Sequence, residues 1–97
     1  MIEKLELGSI HISDRNVRLV WNTTNIERCR EIMNWLNENK IDYYVYTFIH
    51  GDKRYKSVRI NKLEEIKKYT EMMLDNLTIT QRRDLSRLLI SRGVFIL

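Results

Sequence analysis

The sequence predicts an α+β domain: two antiparallel β-hairpins forming one four-stranded sheet, with helices on one face and the element order ββαββαα. Three observations carry this. Two regions alternate between opposite faces with period two on either side of a short polar turn. Three others repeat apolar residues at helical spacing behind residues suited to capping a helix. The chain has 97 residues, room for a single domain over 1–97 with one modest core.

The first strand is read over Leu7 to Ser13, where Ile10 and Ile12 point one way and Ser9, His11 and Ser13 the other. Asp14, Arg15 and Asn16 form a polar turn. Val17, Leu19 and Trp21 then alternate with Arg18, Val20 and Asn22, completing a hairpin. Thr24 with Glu27 three residues later reads as a capping box. The helix behind it, with Ile26, Cys29, Ile32, Met33 and Leu36 on one stripe, runs to about Asn39. Asp42 to Ile49 is rich in β-formers, His50 to Lys53 is a turn, and Tyr55 to Ile60 returns as the fourth strand. Asn61 with Glu64 is expected to cap a second helix, whose apolar positions are Leu63, Ile66, Tyr69, Met73 and Leu77. Thr78 with Gln81 caps a third, with Leu85, Leu88 and Leu89 inward and Gly93 as its stop.

Composition removes several classes of function. Hydrophobic residues make up 43% and charged residues 31%, which suits a folded soluble domain rather than a disordered tail. The single cysteine, Cys29, allows neither an internal disulfide nor a cysteine zinc site, and its place on the buried stripe makes it a small hydrophobe. No apolar run approaches membrane-spanning length, and charge begins at Glu3, so neither a membrane segment nor a signal peptide is expected and the location is cytoplasmic. Proline and alanine are absent while Ile, Asn and Lys are plentiful, a usage that points to an AT-rich source such as a virus or mobile element. The histidines lie on different strands, the serines lack a nucleophile context, and the three glycines are scattered, so no metal site, cofactor or catalytic constellation is expected.

The net charge of +4 permits a nucleic-acid partner. The outward sheet face is expected to carry His11, Arg18, Asn22 and Arg59 beside Ser57 and Tyr55, side chains that hydrogen-bond to base edges and phosphates. Strand three is open: Tyr44, Tyr46 and Phe48 face the core while Tyr43, Val45 and Thr47 face out, or the reverse. The third helix carries Arg82, Arg83 and Arg87 against one acid, Asp84.

The order of elements and several local strings resemble the half-unit of LAGLIDADG homing endonucleases over about residues 8 to 92. Gly8-Ser9-Ile10-His11-Ile12-Ser13 looks like the Gly-Ser and first strand that follow that family's signature helix. Leu19 to Thr24 looks like the end of its second strand, Asn61-Lys62-Leu63 like the site after its fourth, and Leu77 to Arg83 like the opening of its closing helix. The resemblance implies a saddle-shaped sheet that lies in the DNA major groove. It also shows two departures. The metal-binding carboxylate directly before the Gly-Ser is Leu7 here, with Glu6 one residue off. The seven residues before Gly8 make at most about 10 Å of helix, too little for the family's dimer seam. The chain is then a monomer, or a homodimer through another surface such as the apolar tail Val94 to Leu97.

The expectation is a protein that binds double-stranded DNA on a catalytically degenerate fold of this type. His11, Arg18, Asn22 and Arg59 would contact the groove, and Lys62, Arg82, Arg83 and Arg87 would neutralise phosphate. Two alternatives stand beside it. The aromatic hairpin Tyr43 to Tyr55 could bind and inhibit a host protein. A dimeric magnesium-dependent endonuclease would need to pool two copies of Glu6, with Asn22 and Lys62 organising water.

Overall fold

The computed structural model describes residues 5–12 and 16–94. The elements are β1 (Ser9–Ile12), β2 (Val17–Thr23), α1 (Ile26–Glu38), β3 (Tyr44–His50), β4 (Lys53–Ile60), α2 (Leu63–Met73), one turn of 3-10 helix (Leu74–Asn76) and α3 (Ile79–Ser91). The strands form an open antiparallel sheet in the spatial order β1-β2-β4-β3, so the domain is α+β with the expected ββαββαα sequence of elements. The turn expected at 14–16 and the tail beyond Val94 lie largely outside the described residues. No described helix is long and apolar enough to cross a membrane.

Register follows from which side chains must be buried. Leu19 pairs with Ile10 on one side and Ile60 on the other, and Trp21 pairs with Val58. These point to the helices and, with Val17, are almost wholly buried, except for the partly covered Ile10. Ile32, Trp35 and Leu36 of α1, Ile66, Tyr69 and Met73 of α2, and Leu85 and Leu89 of α3 close over them. Tyr69 is the centre of this layer. Its ring meets Trp21 and Trp35 edge-on, 5.5 and 5.9 Å between centroids. Its hydroxyl donates to the Leu5 carbonyl at 2.8 Å, and burial holds that hydroxyl protonated far above the usual tyrosine range. Trp21 Nε1 donates to the Glu6 carbonyl at 2.9 Å, so 5–7 are tied to the core by two buried rings. Gly8 is required here: a Cβ at this position would sit 2.6 Å from the Val20 carbonyl oxygen and 2.8 Å from the Trp21 ring.

Two helix starts differ from expectation. The N-cap of α1 is Asn25, not Thr24: Asn25 Oδ1 accepts from the Arg28 amide at 3.2 Å, while Thr23 Oγ1 accepts from the Asn25 amide at 3.0 Å. The pre-helical turn thus uses the threonine that ends β2. At α2 the cap position is Lys62, not Asn61, and no side chain caps it. Asn61 Oδ1 is instead buried without a partner. Ile60 is held in register against Leu19, which delays the helix by one residue. The acid that matters there is Glu65 rather than Glu64. Glu65 is buried, accepts from the Asp42 amide at 2.8 Å and pairs with Lys68 at 3.0 Å, tying α2 to the loop after α1. The Thr78–Gln81 capping box at α3 is complete, with both reciprocal bonds formed.

Both α1 and α3 end in Schellman geometry. The Ile41 amide reaches the Leu36 carbonyl, and the Val94 amide reaches Leu89, each at 2.9 Å. Each motif needs a left-handed residue. Gly93 supplies it after α3, and Lys40, at φ 57°, supplies it after α1.

Candidate nucleic-acid interface

The sheet face away from the helices is assembled in cross-strand rows. Ser9, Val20, Arg59 and Tyr44 form one row, and Asn22, Ser57 and Tyr46 the next. His11 stands opposite Arg18, Tyr55 opposite Phe48, and Lys53 opposite His50. Tyr44, Tyr46 and Phe48 therefore share the outward face, and the open choice for strand three resolves that way. Tyr43 precedes the strand and packs against the core. The parity is set by the turn: Gly51 has φ 65° and Asp52 no positive φ, a two-residue type II′ turn with glycine at its first central position. With His50 opposite Lys53, every outward odd-numbered residue of β4 must face an even-numbered one of β3.

Arg59 is the best-positioned group on this face. Its Nε donates to Ser57 Oγ at 2.9 Å, and its guanidinium carbon lies 4.8 Å from the centroid of the Tyr46 ring. Stacking orders the planar fork while leaving its other N–H groups available. Ser57 and Val20 are sealed beneath such long side chains, so neither is itself a contact residue. Phe48 and Tyr55 stack at 5.2 Å with rings nearly parallel, and Tyr44 approaches Tyr46 at 6.4 Å. Asn22 and His11 are exposed on the same face.

Charge is segregated between the layers. None of the strand residues is acidic, whereas Arg18, Lys53, Arg54, Lys56 and Arg59 are cationic. No strand cation has a carboxylate partner among the described residues. The described ion pairs join helix residues to one another or to adjoining segments: Arg28 with Glu6 and Glu31, Arg30 with Glu27, Lys62 with Asp42, and Lys68 with Glu65. Of the strand cations, Arg18, Lys53 and Arg59 stand on the outward face, while Arg54 and Lys56 share the helix side with Val58 and Ile60, so the outward face carries three strand cations and no strand carboxylate.

The sequence-derived site residues divide accordingly. His11, Arg18, Asn22 and Arg59 come together on the outward face. Lys62 lies at the head of α2, 3.5 Å from Asp42 in an exposed ion pair. Arg82, Arg83 and Arg87 are exposed on α3 in the helix layer, with Arg87 lining a groove against Ile10 and Ile12 of β1. The aromatic residues of β3 are the part of the face that alternation left undecided.

Glu6 is engaged elsewhere. Its carboxylate bonds to Arg28, which holds it below the usual glutamate range. Leu7 beside it is half-buried, and no group of three His, Cys, Asp or Glu among the described residues stands in metal-binding proximity. The residues present do not fit a magnesium site of the kind the resemblance implies. Cys29 is buried, its sulfur 3.8 Å from that of Met33, and burial pushes its thiol pKa up, away from nucleophilic character. Comparison with protein-family models, curated proteins and solved structures finds no match for this chain.

Proposed function

We propose that this protein binds double-stranded DNA through the outward face of its sheet, as a LAGLIDADG-like half-unit without that family's metal chemistry. The observation that carries the reading is the charge of that face: Arg18, Lys53 and Arg59 stand on it, and no strand residue is acidic. A curved antiparallel ribbon enters the major groove. There Arg18 and Arg59 would read guanine, Asn22 would read adenine, and His11 would reach the groove wall. Arg59 is suited to this because Tyr46 and Ser57 fix its orientation before any partner arrives. Lys62, Arg82, Arg83 and Arg87 would contact flanking phosphates and supply affinity rather than sequence discrimination.

The test is fluorescence anisotropy with random duplex DNA at low and moderate salt. Micromolar binding that weakens steeply with salt is expected. Arg59→Ala should reduce affinity about tenfold, as expected for one good bidentate contact. Replacing Arg82, Arg83 and Arg87 together by Ala should lower the log–log salt slope by about three. Absence of binding at low salt, or affinity indifferent to Arg59, would overturn the reading. Exposed Tyr44 and Tyr46 would then favour a protein partner for the same face.

A further inference from the structure

The two edges of the sheet are not alike. β1 is four residues long, and its Ile10 and Ile12 line a groove with Arg87 and Leu88 of α3. β3 is seven residues long and carries none of the devices that keep edge strands apart. It has no proline, lysine, arginine or acid. On its helix side Val45 is 41% exposed and Ile49 68% exposed, because α1 packs chiefly on β4 and β2.

Its backbone is also open. A two-residue turn closes on a pair that exchanges both backbone hydrogen bonds, here His50 and Lys53. Antiparallel pairs alternate from there, so Tyr44, Tyr46, Phe48 and His50 bond to β4. The amides and carbonyls of Val45, Thr47 and Ile49 point away from β4, to the free edge.

The side chains of this strand are self-complementary about Thr47. Reading outward from it in both directions gives aromatic, aliphatic, aromatic: Tyr46, Val45, Tyr44 one way and Phe48, Ile49, His50 the other. We propose that two copies of this chain pair edge to edge through β3, antiparallel and centred on Thr47. In that register Thr47 meets Thr47, and Val45 meets Ile49. Both are pairs whose backbone groups face the edge, so the two strands can exchange six hydrogen bonds. Tyr46 meets Phe48 in the closer, non-hydrogen-bonded type of pair, where aromatic contacts are strongest. No formal charge of β3 meets its own copy across the two-fold axis. The two outward faces join into one eight-stranded surface, since opposed residues of paired strands share a face. The inference stands apart from the DNA reading and is tested without nucleic acid.

Two measurements on the full chain decide it. Sedimentation from micromolar to submillimolar protein should show a monomer–dimer equilibrium. Amide exchange by NMR over the same range should slow with concentration at Val45, Thr47 and Ile49, while Tyr44, Tyr46 and Phe48 are slow throughout. Thr47→Glu should raise the dimer dissociation constant by about tenfold or more, because it sets glutamate against glutamate. It should still fold, because Lys56, whose Nζ lies 2.9 Å from Thr47 Oγ1, faces that position within the chain. A monomer at every concentration would overturn the proposal. So would fast, concentration-independent exchange at those three amides, or a dimer that survives Thr47→Glu.

Discussion

Trp21 and Val58 face each other on the helix side of the sheet, and one residue along the same strands Asn22 and Ser57 face the other way. The first pair belongs to a layer that excludes water on every side. The second belongs to a surface where long side chains roof a thin polar and aliphatic floor. The helix side is held by ring packing and by the buried hydroxyl of Tyr69. The outward side is held by lateral contacts, with Arg59 over Tyr46 and Phe48 on Tyr55. Stability is therefore concentrated on one face, and the chemistry available to a partner on the other.

The sharpest contrast is between two aromatic residues. Trp21→Ala removes a buried ring, the support of Tyr69 and the donor to the Glu6 carbonyl, and should cost about 3–5 kcal/mol in denaturant unfolding. Tyr46→Ala, on a face where that ring is 46% exposed, should cost at most about 1 kcal/mol while freeing Arg59 and weakening the proposed DNA contact. Equal losses of stability from both would show that the outward face is part of the core.

Acid should act on the helix layer first. The Asp42 amide and Lys68 hold the Glu65 carboxyl below the ordinary glutamate value of 4.5. A depressed folded value contributes stability that is fully present above 4.5 and is lost as pH falls from there through the lower folded value. Glu65→Gln should lower stability at neutral pH by about 1–2 kcal/mol and flatten the acid limb of the stability profile. Arg59→Ala should leave that limb unchanged. Chemical denaturation between pH 3 and pH 7 distinguishes them, and an unaltered acid limb in Glu65→Gln would locate the acid sensitivity elsewhere.

The smallest effect concerns the two Schellman ends. Gly93 adopts its left-handed conformation freely, whereas Lys40 carries a Cβ there. Lys40→Gly relieves about 1–2 kcal/mol of backbone strain and returns part of it as unfolded-chain entropy, leaving a gain of about 0.5 kcal/mol. A thermal unfolding midpoint that falls on this substitution would mean that the Lys40 side chain contributes more than its backbone costs.

What could be read directly from the residues was whatever depends on near neighbours in the chain. Alternation in 9–12 and 17–22 assigned β1 and β2 and sorted His11, Arg18 and Asn22 to one face, because side-chain direction in a strand has period two. The Thr78–Gln81 box placed the start of α3, because both of its bonds close within one turn. The same reasoning misplaced two caps by one residue. At Asn25 and Lys62 the competing side chains are adjacent, and pairing of the preceding strand decides which residue leaves the sheet. Alternation also left β3 ambiguous, since tyrosine, valine and phenylalanine suit either face. Yet the two-residue turn at Gly51 and Asp52 already contained the answer once the core-facing parity of β4 was known. Three things required the folded chain, because each joins residues that the sequence keeps far apart. They are the capture of Glu6 by Arg28, the burial of Leu5 under Tyr69, and the separation of an acid-free sheet from the acids of the helix layer. Local order follows from short-range sterics and hydrogen bonds; which distant charge or ring meets which is set by the packing of one layer on the other.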